Sequence, residues 1–208
     1  DGAFLNFFKG KGLRVLGVDP AENLAAAATR IGVETLPTFF SSELSKEIKS
    51  SHGPASVVIT NFAYANMDDL DDVTKGIHDL LAPDGVFMFE TNYRVDIFQK
   101  HLLETINHEH LSYFAVMSLR DYFPRHGMEL INVEHVPSKG GSIRCTVQLA
   151  GGQRTVSPEI EKHIAQEKSL GVYETGFYKP CADHIQAAKE ELGRILARLG
   201  NRGYRTAQ

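Results

Sequence analysis

The sequence predicts an α/β fold: a largely parallel sheet with an antiparallel edge, followed by helices. Three observations carry this. Leu13–Val18, Ala21–Ile31 and Val33–Leu36 read as strand, helix and strand, a βαβ unit that requires parallel pairing. Ala55–Thr60 and Val86–Glu90 are further apolar strand runs with a helical pattern between them. Met128–Val136 and a last strand through Leu149 come after the βα repeats, as an antiparallel edge would.

Taken in order, Ala3–Phe8 opens the chain as a helix, with Phe4, Leu5 and Phe8 on one face. Lys9–Gly12 is a turn, and the first strand ends in Asp19-Pro20. Pro20 sits near the first turn of Ala21–Ile31, whose buried side is Leu24, Ala28 and Ile31. In open α/β sheets, ligands sit beyond the carboxyl ends of the strands, where an acid commonly accepts from a ribose hydroxyl. Asp19 stands there; its other role is to stabilise the helix dipole. A glycine-rich loop should precede it, and Asp1-Gly2 fits the loop's last two residues. Phe39-Phe40 follows the next strand, suited either to covering an adenine or to the core.

Ser41–Ser50 is a polar helix, and the strand after it ends at Asn61, opening a loop with Tyr64 and Asn66. Asp68–Asp72 is an acidic helix start with a structural role, and Val73, Ile77, Leu80 and Leu81 line that helix's apolar face. Pro83-Asp84-Gly85 turns the chain into the next strand, whose far end, Thr91-Asn92-Tyr93, faces the same edge. Ser118–His126 is a helix with Leu119, Tyr122 and Phe123 inward. Gly140-Gly141 is either a plain hairpin turn or a place where substrate approaches the backbone, with Arg144 gripping a phosphate. Thr155–Lys168 and Ala182–Leu199 are helices. The second carries Ile185, Ala188, Leu192, Ile195 and Leu199 on a face expected to pack, and a solvated basic row of Arg194, Arg198 and Arg202.

The 208 residues suffice for one large domain, or one domain with an appendage. A net charge of -4 argues against a nucleic-acid binder that relies on positive charge. Cys145 and Cys181 have no metal-ligand spacing and suggest a reducing compartment. No apolar run is long enough to cross a membrane, so a cytoplasmic enzyme is expected.

The densest set of proton-handling groups is His108-Glu109-His110-Leu111-Ser112-Tyr113-Phe114. Histidine titrates near neutrality, so one ring can act as base without special tuning. If this segment is extended, His108 and His110 share a face and Glu109 takes the other. A polar surface loop is the plainer explanation, but the segment's place on the ligand side of the sheet favours chemistry. Two histidines without a third ligand, or His-Glu-x-x-His spacing, argue against a metal here.

The chain resembles the adenosylmethionine-dependent C-methyltransferases that act on nucleotide-linked 4-keto-deoxysugars. The resemblance covers essentially the whole chain. It rests on Gly17–Asn23, Asn61–Leu70, Leu80–Phe87, Gly140–Arg144 and, most specifically, His108–Phe114. It implies a Rossmann-like class I methyltransferase domain over 1–150 that lacks its first strand, then the helical start of a C-terminal domain over 151–208. The boundary falls at Gly151-Gly152. It also implies an internal fragment, without the zinc-binding N-terminal domain and the C-terminal Rossmann-like region of the family.

On that resemblance the cofactor is S-adenosylmethionine, held by Asp1, Gly2, Asp19, Pro20, Phe39 and Asn61. The substrate, a nucleotide-linked sugar, meets Asn66, Asn107 and Arg144. His110 is the base, Glu109 positions the sugar or the base, and His108 and Tyr113 orient groups or contact the enolate. Asn66 stands where the family usually has histidine, and Asn107 where it usually has tyrosine, and neither can act as a base. The alternatives are a non-catalytic cofactor- or nucleotide-binding module and a nicotinamide-dependent sugar reductase or epimerase, though the Tyr-x-x-x-Lys pair of short-chain reductases is not seen.

Overall fold

The computed structural model describes residues 2–202, and Asp1, named above for the cofactor loop, lies outside them. The chain forms two compact units, one of residues 1–55 and 69–80, the other of residues 56–68 and 81–208.

In the first unit, α1 (Ala3–Lys9) follows Gly2, which is left-handed at φ 74°. A Cβ on Gly2 would lie 2.7 Å from the Cβ of Ala28, so glycine is required sterically as well as by its dihedral. None of α1 is buried: Phe4 is exposed, and Leu5 and Phe8 are half-buried. Strand β1 is only Gly17–Val18, parallel to β2 (Thr35–Leu36) in the register Gly17↔Thr35 and Val18↔Leu36. The strand expected from Leu13 is thus shortened, because β2 offers partners to two residues alone.

The crossover helix α2 (Glu22–Arg30) buries Ala25 and Ala28, not Leu24 or Ile31, which are exposed. Close approach of the Gly2 backbone at Ala28 admits only small side chains on that face. Helix α3 (Ser42–His52) is capped by Ser41, whose hydroxyl accepts the Leu44 amide at 3.1 Å. It packs on α4 (Leu70–Leu80), which buries Val73, Ile77 and Leu80. The acidic helix start has a structural use: Asp69 accepts the Asp72 amide, and Asp72 accepts the Ser42 amide at 3.0 Å. Hydrogen bonds from Ser42 hold the Asp72 carboxyl below its usual range.

The second unit is built on a four-stranded sheet in the order β3 (Ala55–Asn61), β4 (Leu81–Asn92), β6 (Ser142–Leu149), β5 (Met128–Val136). β6 runs antiparallel to both β4 and β5, the expected antiparallel edge. The turn expected at Pro83-Asp84-Gly85 is instead part of extended β4, although the ladder with β6 starts only at Val86↔Gln148. A connection left without structure by the sequence holds α5 (Arg94–Gln99) and a 3-10 turn, Leu103–Thr105. The single helix expected over Ser118–His126 is α6 (Val116–Tyr122) followed by a 3-10 turn, Phe123–His126. Pro124 explains the change, since it has no amide to continue the α-helical ladder.

Tyr64, Phe87, Phe89, Phe114 and Phe123 make a buried aromatic cluster under this sheet, with Tyr64 stacked 5.7 Å from Phe114. Each such ring contributes about 1.5–3 kcal/mol by leaving water. Helix α7 (Glu159–Ser169) adds Ile160 and Ile164 to the core. In α8 (Lys179–Asn201) only Cys181 is buried. The stripe of Ile185, Leu192 and Ile195, expected to pack, is exposed among the described residues. No helix among them is long and apolar enough to cross a membrane.

Candidate active site

The His-Glu-His segment lies in the second unit, between the 3-10 turn Leu103–Thr105 and α6. Residues 106–109 bend and turn, so the alternating faces expected of an extended segment do not apply. Asn107 causes this. Its Oδ1 accepts the Glu109 amide at 2.9 Å, and its Nδ2 donates to the Glu104 carbonyl at 3.0 Å. An asparagine that bonds its own backbone two residues on closes a turn with its side chain. His108 and Glu109 are exposed, with no side-chain hydrogen bond or ion pair among the described residues.

His110 differs from both. It is half-buried, and its Nδ1 lies 2.6 Å from the carbonyl oxygen of Thr105, itself a buried residue. A carbonyl only accepts, so Nδ1 carries the proton and donates it, and Nε2 of the neutral ring keeps its lone pair. Nε2 has no hydrogen-bond partner among the described residues. The Tyr113 hydroxyl donates to the same carbonyl at 3.3 Å, with the two rings edge to face at 6.4 Å. The structure therefore brings His110 and Tyr113 together and leaves His108 and Glu109 apart from them.

Beyond His110 the backbone is tied at successive positions. The amides of Leu111 and Ser112 both donate to the Ala65 carbonyl at 3.0 Å, in the 3-10 turn Tyr64–Asn66. Asn66, exposed, is thus next in sequence to the carbonyl that anchors the motif. Arg94 Nε donates to the Tyr113 carbonyl at 2.9 Å, and the Arg94 amide donates to the Phe114 carbonyl at 3.0 Å. The amides of Val116 and Met117 donate to the carboxylate of Glu167 at 2.5 and 3.1 Å. The hydroxyls of Tyr93 and Tyr173 donate to the same carboxylate at 2.9 and 2.5 Å. Burial first, and the Glu167 charge second, push the Tyr93 phenol far above its usual range.

Arg144 is engaged otherwise. Its guanidinium meets Glu90 through Nε at 3.2 Å and Nη2 at 2.9 Å, and Glu134 at 3.5 Å. Gly140 and Gly141 have φ of 85° and 149°, and a Cβ on Gly141 would lie 2.3 Å from Asp96 Cγ. Gly140 therefore serves close packing on Leu102 and Gly141 on Asp96, which also pairs with Lys100 and His135 at 2.6 Å each.

In the first unit, Asp19 Oδ1 accepts the Ala21 amide at 2.9 Å, and the Asp19 amide donates to the Leu36 carbonyl at 3.1 Å. One oxygen thus starts α2, the structural role expected of Asp19, while Oδ2 makes no hydrogen bond among the described residues. Pro20 is exposed. Phe39 is 77% exposed, whereas Phe40 packs on Gly76 of α4. In the second unit, Asn61 ends β3 and is exposed. Among the described residues, no three His, Cys, Asp or Glu side chains converge as metal ligands.

Sequence reasoning missed Thr105, Ala65, Arg94 and Glu167. The first two act through backbone carbonyls, which no side-chain pattern reports. Arg94 follows the strand end directly and was within reach of position-based reading; Glu167 sat unmarked in a polar helix.

The βα arrangement of the first unit and the antiparallel edge of the second define a class, the Rossmann-like methyltransferase fold. Solved structures agree. An S-adenosylmethionine-dependent methyltransferase from Anabaena variabilis matches with a TM-score of 0.55 at 14% identity, over 71% of this chain and 73% of that one. The 1,6-didemethyltoxoflavin-N1-methyltransferase of Burkholderia thailandensis, solved with S-adenosylhomocysteine, matches with a TM-score of 0.52 at 19% identity, over 72% and 67%. Residues 1–133 match the methyltransferase domain model and residues 137–208 the C-methyltransferase C-terminal domain model. The chain belongs to the methyltransferase-domain family, whose model covers residues 1–133. It is 37% identical over 195 residues to the C-methyltransferase NovU of Streptomyces niveus, which covers 94% of this chain. The chain spans about half the length of that relative, 46%.

Proposed function

We propose that this chain is the catalytic core of an S-adenosylmethionine-dependent C-methyltransferase, active on the carbon beside the ketone of a nucleotide-linked 4-keto-deoxysugar. The single observation that carries the reading is the hydrogen bond from His110 Nδ1 to Thr105. A carbon beside a ketone becomes a nucleophile only by losing a proton to a positioned base. The fixed tautomer of His110 supplies that base at Nε2. The proton moves from carbon to Nε2, and the electron pair delocalises onto the ketone oxygen as an enolate. Glu109, exposed beside this ring in sequence, positions the sugar; Tyr113 is the candidate for orienting the ring, and His108 for meeting the enolate oxygen. Asn66 and Asn107 contact the sugar without exchanging protons.

Gly2, Asp19, Pro20 and Phe39, with Asn61, are the residues that would hold S-adenosylmethionine. What it supplies when bound is an electrophilic methyl group. Supporting the reading are the family membership and the relative's name as a C-methyltransferase. Residues 151–208 are, on this reading, the start of the C-terminal domain, and the protein works in the cytoplasm. The test is solvent exchange in heavy water: full-length protein with a nucleotide-linked 4-keto-deoxysugar and adenosylhomocysteine should exchange the proton beside the ketone, and His110→Ala should not. Full exchange by His110→Ala would overturn the assignment, and cofactor binding with no turnover of any keto-sugar would favour a non-catalytic module.

A further inference from the structure

We propose that Glu167 is a positioning residue for the His110 base, acting from α7 through the start of α6. The proposal rests on the reading of His110 given above. Helix α6 begins without a side-chain cap of its own, since its N-cap is Ala115. Its first amides would be orphaned in a fully buried setting, as Ala115 and Val116 are both inaccessible to water. The Glu167 carboxylate, itself fully buried, fills that need from 50 residues further along the chain. Its charge also lies where the helix dipole favours an anion.

The remaining contacts show that this cap is aimed at the motif. Tyr93, which donates to Glu167, forms a bridge with Phe114, and its neighbour Arg94 holds the carbonyls of Tyr113 and Phe114. One carboxylate therefore fixes both sides of the same run: the strand end that carries Tyr93-Arg94, and the chain leaving the motif at Val116-Met117. His110 sits at the head of this run. Four donors face the two carboxylate oxygens, two amides and two phenols, and no acceptor does. An amide in place of the carboxylate would turn a donor toward donors, so Glu167→Gln, with almost unchanged volume, disrupts this arrangement selectively.

The experiment compares the full-length protein with Glu167→Gln, and with Tyr173→Phe, which removes one donor and leaves the amide cap. Expected for Glu167→Gln is a fall in kcat of between about tenfold and a hundredfold. KM for the keto-sugar and the affinity for adenosylhomocysteine should stay within about twofold. Tyr173→Phe should lose less. In parallel, the His110 ring signals in histidine-labelled protein, recorded without sugar, should move in Glu167→Gln. Unchanged kcat together with unmoved His110 signals would overturn the proposal. So would a loss matched by lost adenosylhomocysteine affinity and lowered thermal stability, which marks a scaffold role alone. If the unaltered protein turns over no keto-sugar, the functional reading fails, while the His110 signals still decide for or against the link to Glu167.

Discussion

The Nδ1 of His110 stands 2.6 Å from the carbonyl oxygen of Thr105, so one backbone group decides which ring nitrogen is free to accept a proton. The tautomer is measurable. In 15N spectra of histidine-labelled protein, the neutral His110 ring should show a protonated Nδ1 and an unprotonated Nε2. The opposite pattern would remove Nε2 as the base.

Asn107 closes the turn that presents the motif, through one hydrogen bond to each side. Asn107→Ala should therefore destabilise the protein by about 1 kcal/mol, as urea denaturation would read it. Asn107→Asp keeps the acceptor for the Glu109 amide and should recover about half of that loss. Equal stability in all three proteins would show that the turn forms without its side chain.

Gly141 carries φ 149° and lies against Asp96. Gly141→Ala would drive a Cβ into the carboxylate that Lys100 and His135 share. A loss of about 2 kcal/mol or more is expected, from strain and a displaced buried ion. Differential scanning calorimetry would settle it, and a change below about 0.5 kcal/mol would mean that the loop shifts freely.

His163 is held below its ordinary pKa, chiefly by burial and next by the charge of His135, and its Nδ1 is buried without a hydrogen-bond partner among the described residues. Protonation then favours the unfolded chain. Stability should be complete above the unfolded value of 6.5 and fall as pH drops from there toward the folded value. His163→Phe removes both the titration and the orphaned nitrogen, so urea midpoints at pH 7.5 and 5.5 should lie closer together than in the unaltered protein. An identical pH dependence in the two proteins would refute the assignment.

How much of this was legible in the sequence differs by element. Strand β5 was read at its observed bounds, Met128–Val136, because alternating apolar residues sit between clear breaks. Strand β1 was overextended, since an apolar run reports burial and not the length of its partner. The buried face of α2 was read correctly at Ala28 but not at Leu24 and Ile31, which are more apolar yet exposed, while the approach of Gly2 requires a small side chain at Ala28. At the site, the types of residue in the motif were readable, whereas what distinguishes His110 from His108 was not. That distinction comes from a carbonyl five residues away, whose position depends on tertiary structure.

The buried carboxylate on α7 also bears on modularity. Glu167 belongs to the stretch matched by the C-terminal model, yet the amides it satisfies belong to the stretch matched by the methyltransferase model. A cut at the junction near residue 135 would strand those amides and the Tyr93 phenol in an apolar interior. Recombination between relatives, by evolution or by design, has to carry Glu159–Ser169 along with the upstream domain, or bring a helix with a carboxylate at the same height. The inheritable unit is longer than the domain models suggest.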